Sequence, residues 1–310
     1  MTNTPSTEER VWAVLSHLSA VAPGVGLLLP VLGWSEQRRK SNYASFQCLQ
    51  ALGYQTLGYT IWLLSYLVLM IIFLVVWVAA VSIVEAGGGD GNSLMGPGMF
   101  AVILVIFLGG LFLFFTCPVI GAVSCAMGRD FRYPVMGDRL AQYLGYGIKM
   151  TDEPVWLIED HEDRWVSAMG HISVIIALWG LLAPISAWVL QGKRYTFLLF
   201  QSAQTVVYQV LVNGLYMGAG MIYMSGFVIF LALTGFESEQ PTTTGMIGLV
   251  ALGLSMLVMM LILLIMPLLH ILGQWAGYRV LKGDNYQYPL IGRVVKRWLD
   301  KRTPVEPAES

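Results

Sequence analysis

Charge is what this chain has least of. Asp, Glu, Lys and Arg make up only 12% of 310 residues, against 56% hydrophobic ones, where a soluble domain carries about 25% charged residues. That scarcity excludes an ordinary soluble domain, and a net charge of −1 gives no reason to expect nucleic acid as a partner. Cysteine is nearly absent too. Cys48, Cys117 and Cys125 form no Cys-x-x-Cys pair and no even set, so neither a disulfide framework nor a thiolate metal site is implied. The opening stretch Met1–Arg10 holds Glu8 and Glu9 but no basic n-region, and a cleaved signal peptide is not expected. No Gly-x-Ser-x-Gly, phosphate-binding loop, dinucleotide fingerprint or paired catalytic carboxylate occurs, so the expectation is a non-enzyme without a cofactor.

What the chain does have is a repeat. Shifting the sequence by 154 positions lays Arg10–Leu57 on Arg164–Leu211 with 15 identities over 48 positions and no gap. His17 falls on His171, Ser19 on Ser173, Pro30 on Pro184, Trp34 on Trp188 and Phe46 on Phe200. An internal repeat of this kind decides the fold. Each copy also carries three long apolar runs, too continuous for a soluble core. The expected fold is an all-α polytopic membrane protein of two tandem repeats, each a re-entrant or kinked helical segment plus two transmembrane helices. The boundaries read as a polar tail 1–9, repeat 1 over 10–144, an acidic linker 145–163, repeat 2 over 164–302 and a disordered tail 303–310.

Lys and Arg place the runs. None of the 18 lies in the Gly-rich loop after Val84 or in the loop after Leu233. If every run crosses the membrane, these charges divide 8 to 10 between the two faces; if the first run of each repeat returns to its own side, all 18 share one face. The positive-inside rule favours the second arrangement, with basic loops and C-terminus cytoplasmic in a bacterial inner membrane. Pro23, Gly24 and Gly26 divide the first run into arms, Val11–Ala22 and Leu27–Trp34. Both are too short to cross about 30 Å at about 1.5 Å per residue. The second copy has only Gly180 and Pro184 there, which leaves one kinked span open as the alternative.

Two sets of residues stand out as sites. His17, Gln47, Gln50, Tyr54 and Gln55, with their repeats His171, Gln201, Gln204, Tyr208 and Gln209, would put amides on one face of a membrane helix. Lipid cannot satisfy amides, so that face is expected to point into a bundle, as a polar lining or as glue between helices. The paired histidines could alternatively ligate a metal or haem, although no carboxylate lies near them in sequence. The second set is interfacial: Tyr133-Pro134 and Tyr288-Pro289, where a span meets the basic face, and Arg293, Lys296, Arg297 and Trp298 in a basic amphipathic helix over Arg293–Arg302. The acids around His161 read as a solvated linker, since Trp165 stands where a zinc protease motif needs its second histidine.

The sequence of motifs Arg10-x6-His17-Leu-Ser19, Pro30-x3-Trp34, a basic turn, Phe46-Gln-x2-Gln50-x3-Tyr54-Gln55 and Gly128-x-Asp130-Phe131-x-Tyr133-Pro134, each repeated, resembles the Tic-twenty-like superfamily. That is the inner-envelope channel component of chloroplast protein import together with its bacterial relatives. The resemblance covers roughly residues 8–144 and 162–299 and departs at the second turn, Gln191-Gly-Lys-Arg194. It implies a four-helix-like membrane unit and transfers no catalytic residue. Three functions follow as expectations: a translocation or conduction path, a scaffold subunit docking other membrane proteins, or a haem or metal redox protein through His17 and His171. The lipid bilayer is the expected partner in each.

Overall fold

A computed structural model describes residues 4–86, 95–147, 156–192, 196–234 and 243–301. The loops 87–94 and 235–242 and the tail 302–310, on which several expectations above bear, lie outside the described residues. Among those described, every regular element is a helix. The chain divides into two compact units, Met1–Met169 and Gly170–Ser310.

In unit 1 the first apolar run is a helical hairpin. α1 (Thr7–Leu18) begins at a capping box: Ser6 Oγ accepts from Glu9 N, and Glu9 Oε2 accepts from Ser6 N, which satisfies two of the donors a helix start leaves open. Two short 3-10 turns around Pro23 and Gly24 reverse the chain, with Gly24 at φ 81°, a conformation that costs glycine little. α2 (Leu28–Gln37) returns beside α1, and Gln37 Nε2 donates to Glu8 Oε1 at 2.9 Å. Start and finish of the run therefore lie together, as the returning arrangement requires. Both arms pack on α3 (Asn42–Ala86).

α3 has 45 residues, about 67 Å of helix, over twice the hydrocarbon thickness of a bilayer. Its first third is buried under the hairpin. From Ile61 onward it exposes Leu64, Leu67, Ile71, Leu74, Val75 and Val78 along one face, the composition of a surface that meets lipid. α4 (Met95–Ala126) runs back, and a loop ending in Tyr133-Pro134 leads to α5 (Gly137–Leu144). α6 (Glu159–Ile172) follows, its turns to Met169 belonging to unit 1. Pro118, inside α4, cannot bond the Phe114 carbonyl; Tyr54 Oη donates to it instead at 2.8 Å.

Unit 2 repeats the plan. After Ile172, two 3-10 turns reverse the chain into α7 (Leu182–Gln191), which packs on α8 (Thr196–Thr234). α9 (Thr243–Leu281) returns along α8, and α10 (Ile291–Asp300) closes on the start of α8 through buried Gly292 and Val295. Val174, Tyr208, Val212, Met266, Ala276 and Tyr288 form its core. Each repeat thus has a polar base and a pair of apolar helices standing on it. Among the described residues, four helices are long and apolar enough to cross a membrane, within Asn42–Ser82, Phe100–Ala126, Thr196–Thr234 and Thr243–Leu281. The protein is an all-α polytopic membrane protein of two tandem repeats.

Candidate functional site

The residues singled out in each copy converge at the base. In unit 1, α1 carries His17 inward, α3 carries Gln47 and Gln50 one turn apart, and the loop after α4 brings in Asp130, Phe131 and Tyr133. His17 Nε2 lies 2.9 Å from Gln47 Oε1, and Gln50 Nε2 donates to the same oxygen at 2.6 Å. Gln47 Nε2 donates to Asp130 Oδ1 (2.9 Å) and the Phe131 carbonyl (3.0 Å). Gln50 Nε2 also reaches the Phe131 carbonyl (2.7 Å), and its Oε1 accepts from Tyr133 N (3.2 Å). Tyr133 Oη is 2.8 Å from His17 Nδ1.

These bonds set the tautomer. An amide oxygen only accepts, so His17 Nε2 carries the proton, and Nδ1 accepts from the Tyr133 hydroxyl. Burial lowers the imidazole pKa to about 4, with the Gln47 bond opposing, because a charged ring has no water here to solvate it. The ring is neutral, and both nitrogens are engaged by protein, leaving no lone pair for a metal.

Unit 2 builds the same network. His171 Nε2 lies 2.9 Å from Gln201 Oε1 and its Nδ1 lies 3.0 Å from Tyr288 Oη. Gln204 Nε2 donates to Gln201 Oε1 (2.7 Å) and to the Tyr286 carbonyl (2.7 Å), while Tyr288 N donates to Gln204 Oε1 (3.2 Å). Asn285 Oδ1 stands in for Asp130, accepting from Gln201 Nε2 at 2.7 Å. One hydroxyl is added: Thr205 Oγ1 lies 2.8 Å from His171 Nδ1, where repeat 1 has Ala51. Burial again brings the imidazole to about 4.

The remaining amides hold the hairpin tips. Gln55 Nε2 donates to Ser19 Oγ (2.9 Å) and Gln209 Nε2 to Ser173 Oγ (3.1 Å). Beside them Gly26 and Gly180 press on the preceding turn: an added Cβ would stand 1.9 Å from the Ser19 carbonyl oxygen and 2.0 Å from that of Ser173. Tyr54 and Tyr208 lie flat on Tyr133 and Tyr288, ring centres 4.1 Å apart in both units. Tyr133 and Tyr288 are buried, whereas Pro134 and Pro289 are exposed. Arg293, Lys296 and Arg297 face outward from α10, and Trp298 meets Trp188 edge to face at 5.9 Å. Among the described residues, no group of three or more His, Cys, Asp or Glu is arranged to hold a metal.

Sequence reasoning missed one charged site. Arg38 is buried against Asp163 (2.8 Å), Glu162 (3.3 Å) and Glu159 (3.5 Å), and Trp34 Nε1 donates to Glu162 Oε1. The last acids of the stretch read as solvated are therefore buried, a correction. Burial raises Glu162 to about 7 and Asp163 to about 6, with Arg38 opposing. The signal was in the alignment: Arg38 falls on Gly192, so one repeat has a charge the other lacks.

The model of the Magnetosome magnetite crystal formation protein family (MamF/MmsF) matches residues 8–140 and again residues 162–295. This overturns the resemblance to the Tic-twenty-like superfamily, to which nothing in the match points. The residues that suggested it are the ones that tie the base together, and residues of that kind report a packing solution rather than an activity. Among curated proteins and among solved structures, none matches the chain.

Proposed function

The chain belongs to the Magnetosome magnetite crystal formation protein family, and from that premise we propose that it is a non-enzymatic scaffold of a magnetite-forming membrane. As a bacterial integral membrane protein its apolar helices contact the lipid bilayer. The observation that carries the scaffold reading, against a conduction path, is the closure of the two base networks. Gln47, Gln50, Gln201 and Gln204 spend their amide groups on neighbours within the base. Amides lining a path would instead hold water or cargo. In this reading each base is a rigid platform on the basic face of the bilayer, carrying α5 or α10 as a surface for other subunits.

Deletion and complementation in a magnetite-forming bacterium tests it. Loss of the chain should alter crystal size or number while ion uptake into the cell is unchanged, and the unaltered chain supplied in trans should complement. Normal crystals after deletion would contradict the reading, and so would an uptake defect. Sidedness is a separate expectation: the basic segments face the cytoplasm. Cysteines introduced at Asp90 and Gln240, labelled with an impermeant maleimide, should react only from the opposite face.

A further inference from the structure

Unit 1 extends to Met169 and so includes the first turns of α6, the opening helix of the second repeat. Those turns lie on one face of α3. Trp165 covers Gly53, where an added Cβ would stand 2.3 Å from its ring, and Trp165 Nε1 donates to the Leu49 carbonyl at 2.9 Å. One turn further, Thr56 Oγ1 donates to Met169 Sδ at 3.2 Å. All of these side chains are buried. The opening helix of one repeat thus packs on the first long helix of the repeat before it.

The same interface exists twice more in halves. Shifting by 154 positions, α8 presents Val207 and Val210 where α3 has Gly53 and Thr56, and these are 38% and 53% exposed. α1 presents Val11 and Leu15 where α6 has Trp165 and Met169, and these are 48% and 40% exposed. The two open halves also match in size. Within the chain a tryptophan sits on a glycine; between the open halves a valine would sit on a valine. The hydroxyl–sulfur pair becomes valine and leucine, apolar on both sides.

We propose that α1 of one copy packs on α8 of a second copy, as α6 packs on α3 within the chain, so that copies join head to tail. Size matching and register favour a second copy over lipid, which covers apolar surface without either. A contact between two different patches is heterologous, and it propagates into a ring or a filament rather than stopping at a two-fold dimer. The inference rests on the repeat and does not depend on the proposed role in crystal formation.

Disulfide trapping tests it in the full chain, in native membranes. Two single variants, Val11→Cys and Val207→Cys, carrying different tags, should cross-link when co-expressed and oxidised. Either variant alone should show no more cross-linking than the unaltered chain with its own three cysteines. A mixed pair that stays monomeric overturns the proposal, as does cross-linking of Val11→Cys chains only to each other. A size swap gives the second readout. Val11→Trp should cut self-association, followed by crosslinking of differently tagged copies through lysines, roughly tenfold by overpacking against Val207. Adding Val207→Gly, which rebuilds the pair found inside the chain, should restore it. Both positions are exposed in the single chain, so an unchanged unfolding midpoint checks that the variants fold. Loss of association without restoration would contradict the interface, and so would no loss.

Discussion

Tyr133 lies on Tyr54 and Tyr288 on Tyr208 with the same 4.1 Å separation and the same 10° between rings, yet the long helices above the two bases meet differently. In unit 2, α8 and α9 touch through small residues: a Cβ on Gly226 would fall 1.9 Å from Ser255 Oγ, and one on Gly248 would lie 3.3 Å from the Phe230 backbone. In unit 1, Leu69, Ile72, Phe73 and Val76 face Val102, Ile103 and Ile106 across an apolar cleft of about 280 Å³. A hydrogen-bonded base loses much when any one partner goes, because the rest stay buried and unsatisfied. An apolar helix pair in lipid can trade side chains as long as the surface stays apolar. Duplication therefore left the bases alike and let the spans drift apart.

The sharpest way to break the likeness is at Arg38, which only unit 1 has. Arg38→Leu leaves Glu162 and Asp163 buried without their cation and should destabilise unit 1 by about 3–5 kcal/mol, read as faster hydrogen exchange there and not in unit 2. The loss should shrink on acidification, since protonated carboxyls need no counter-charge. Next come the hairpin tips. Gly26→Ala and Gly180→Ala should each cost about 3 kcal/mol, in their own units and by similar amounts, because both drive a methyl into a carbonyl oxygen.

Acid should also separate the units. His17 and His171 have folded pKa values near 4, below the ordinary 6.5. Their contribution is complete above 6.5 and is lost as pH falls towards 4, about 3 kcal/mol for each ring. Glu162 and Asp163 are raised, to about 7 and about 6, so unit 1 regains stability over part of the same descent. Unit 2, which lacks that cluster, should open first, as hydrogen exchange resolved by unit would show. The smallest effect is at the second hairpin turn. Leu178 sits at φ 53° where repeat 1 has Gly24. Leu178→Gly should stabilise unit 2 by about 1 kcal/mol, measured as a raised unfolding midpoint.

The repeat, the helical class and the returning first run were legible because each rests on local pattern: periodic apolar runs, a Pro-Gly break, and Lys and Arg gathered in particular segments. The convergence of His17, Gln47 and Gln50 was half legible. Spacing put the glutamines on one face of a helix, but nothing local says that the Tyr133 loop, over 80 residues later in sequence, folds back to occupy them. Tyr133 read as an interfacial ring for the same reason, since a Tyr-Pro at the end of a span looks alike whether the ring turns out or in. Glu162 and Asp163 were missed because burial of a carboxylate depends on a distant cation, and only the unmatched charge at Arg38 hinted at it. The family was misread because the fold-holding residues, being the easiest to see, say least about activity.

The central claim is that both histidines are neutral structural members of closed networks. Nitrogen NMR of histidine-labelled protein in lipid nanodiscs tests it directly, with His17→Asn and His171→Asn assigning the signals. The account predicts that His17 and His171 keep the Nε2-protonated neutral form from about pH 8 down to about pH 5. A ring that titrates near its ordinary value of 6.5, or that carries its proton on Nδ1, would contradict it.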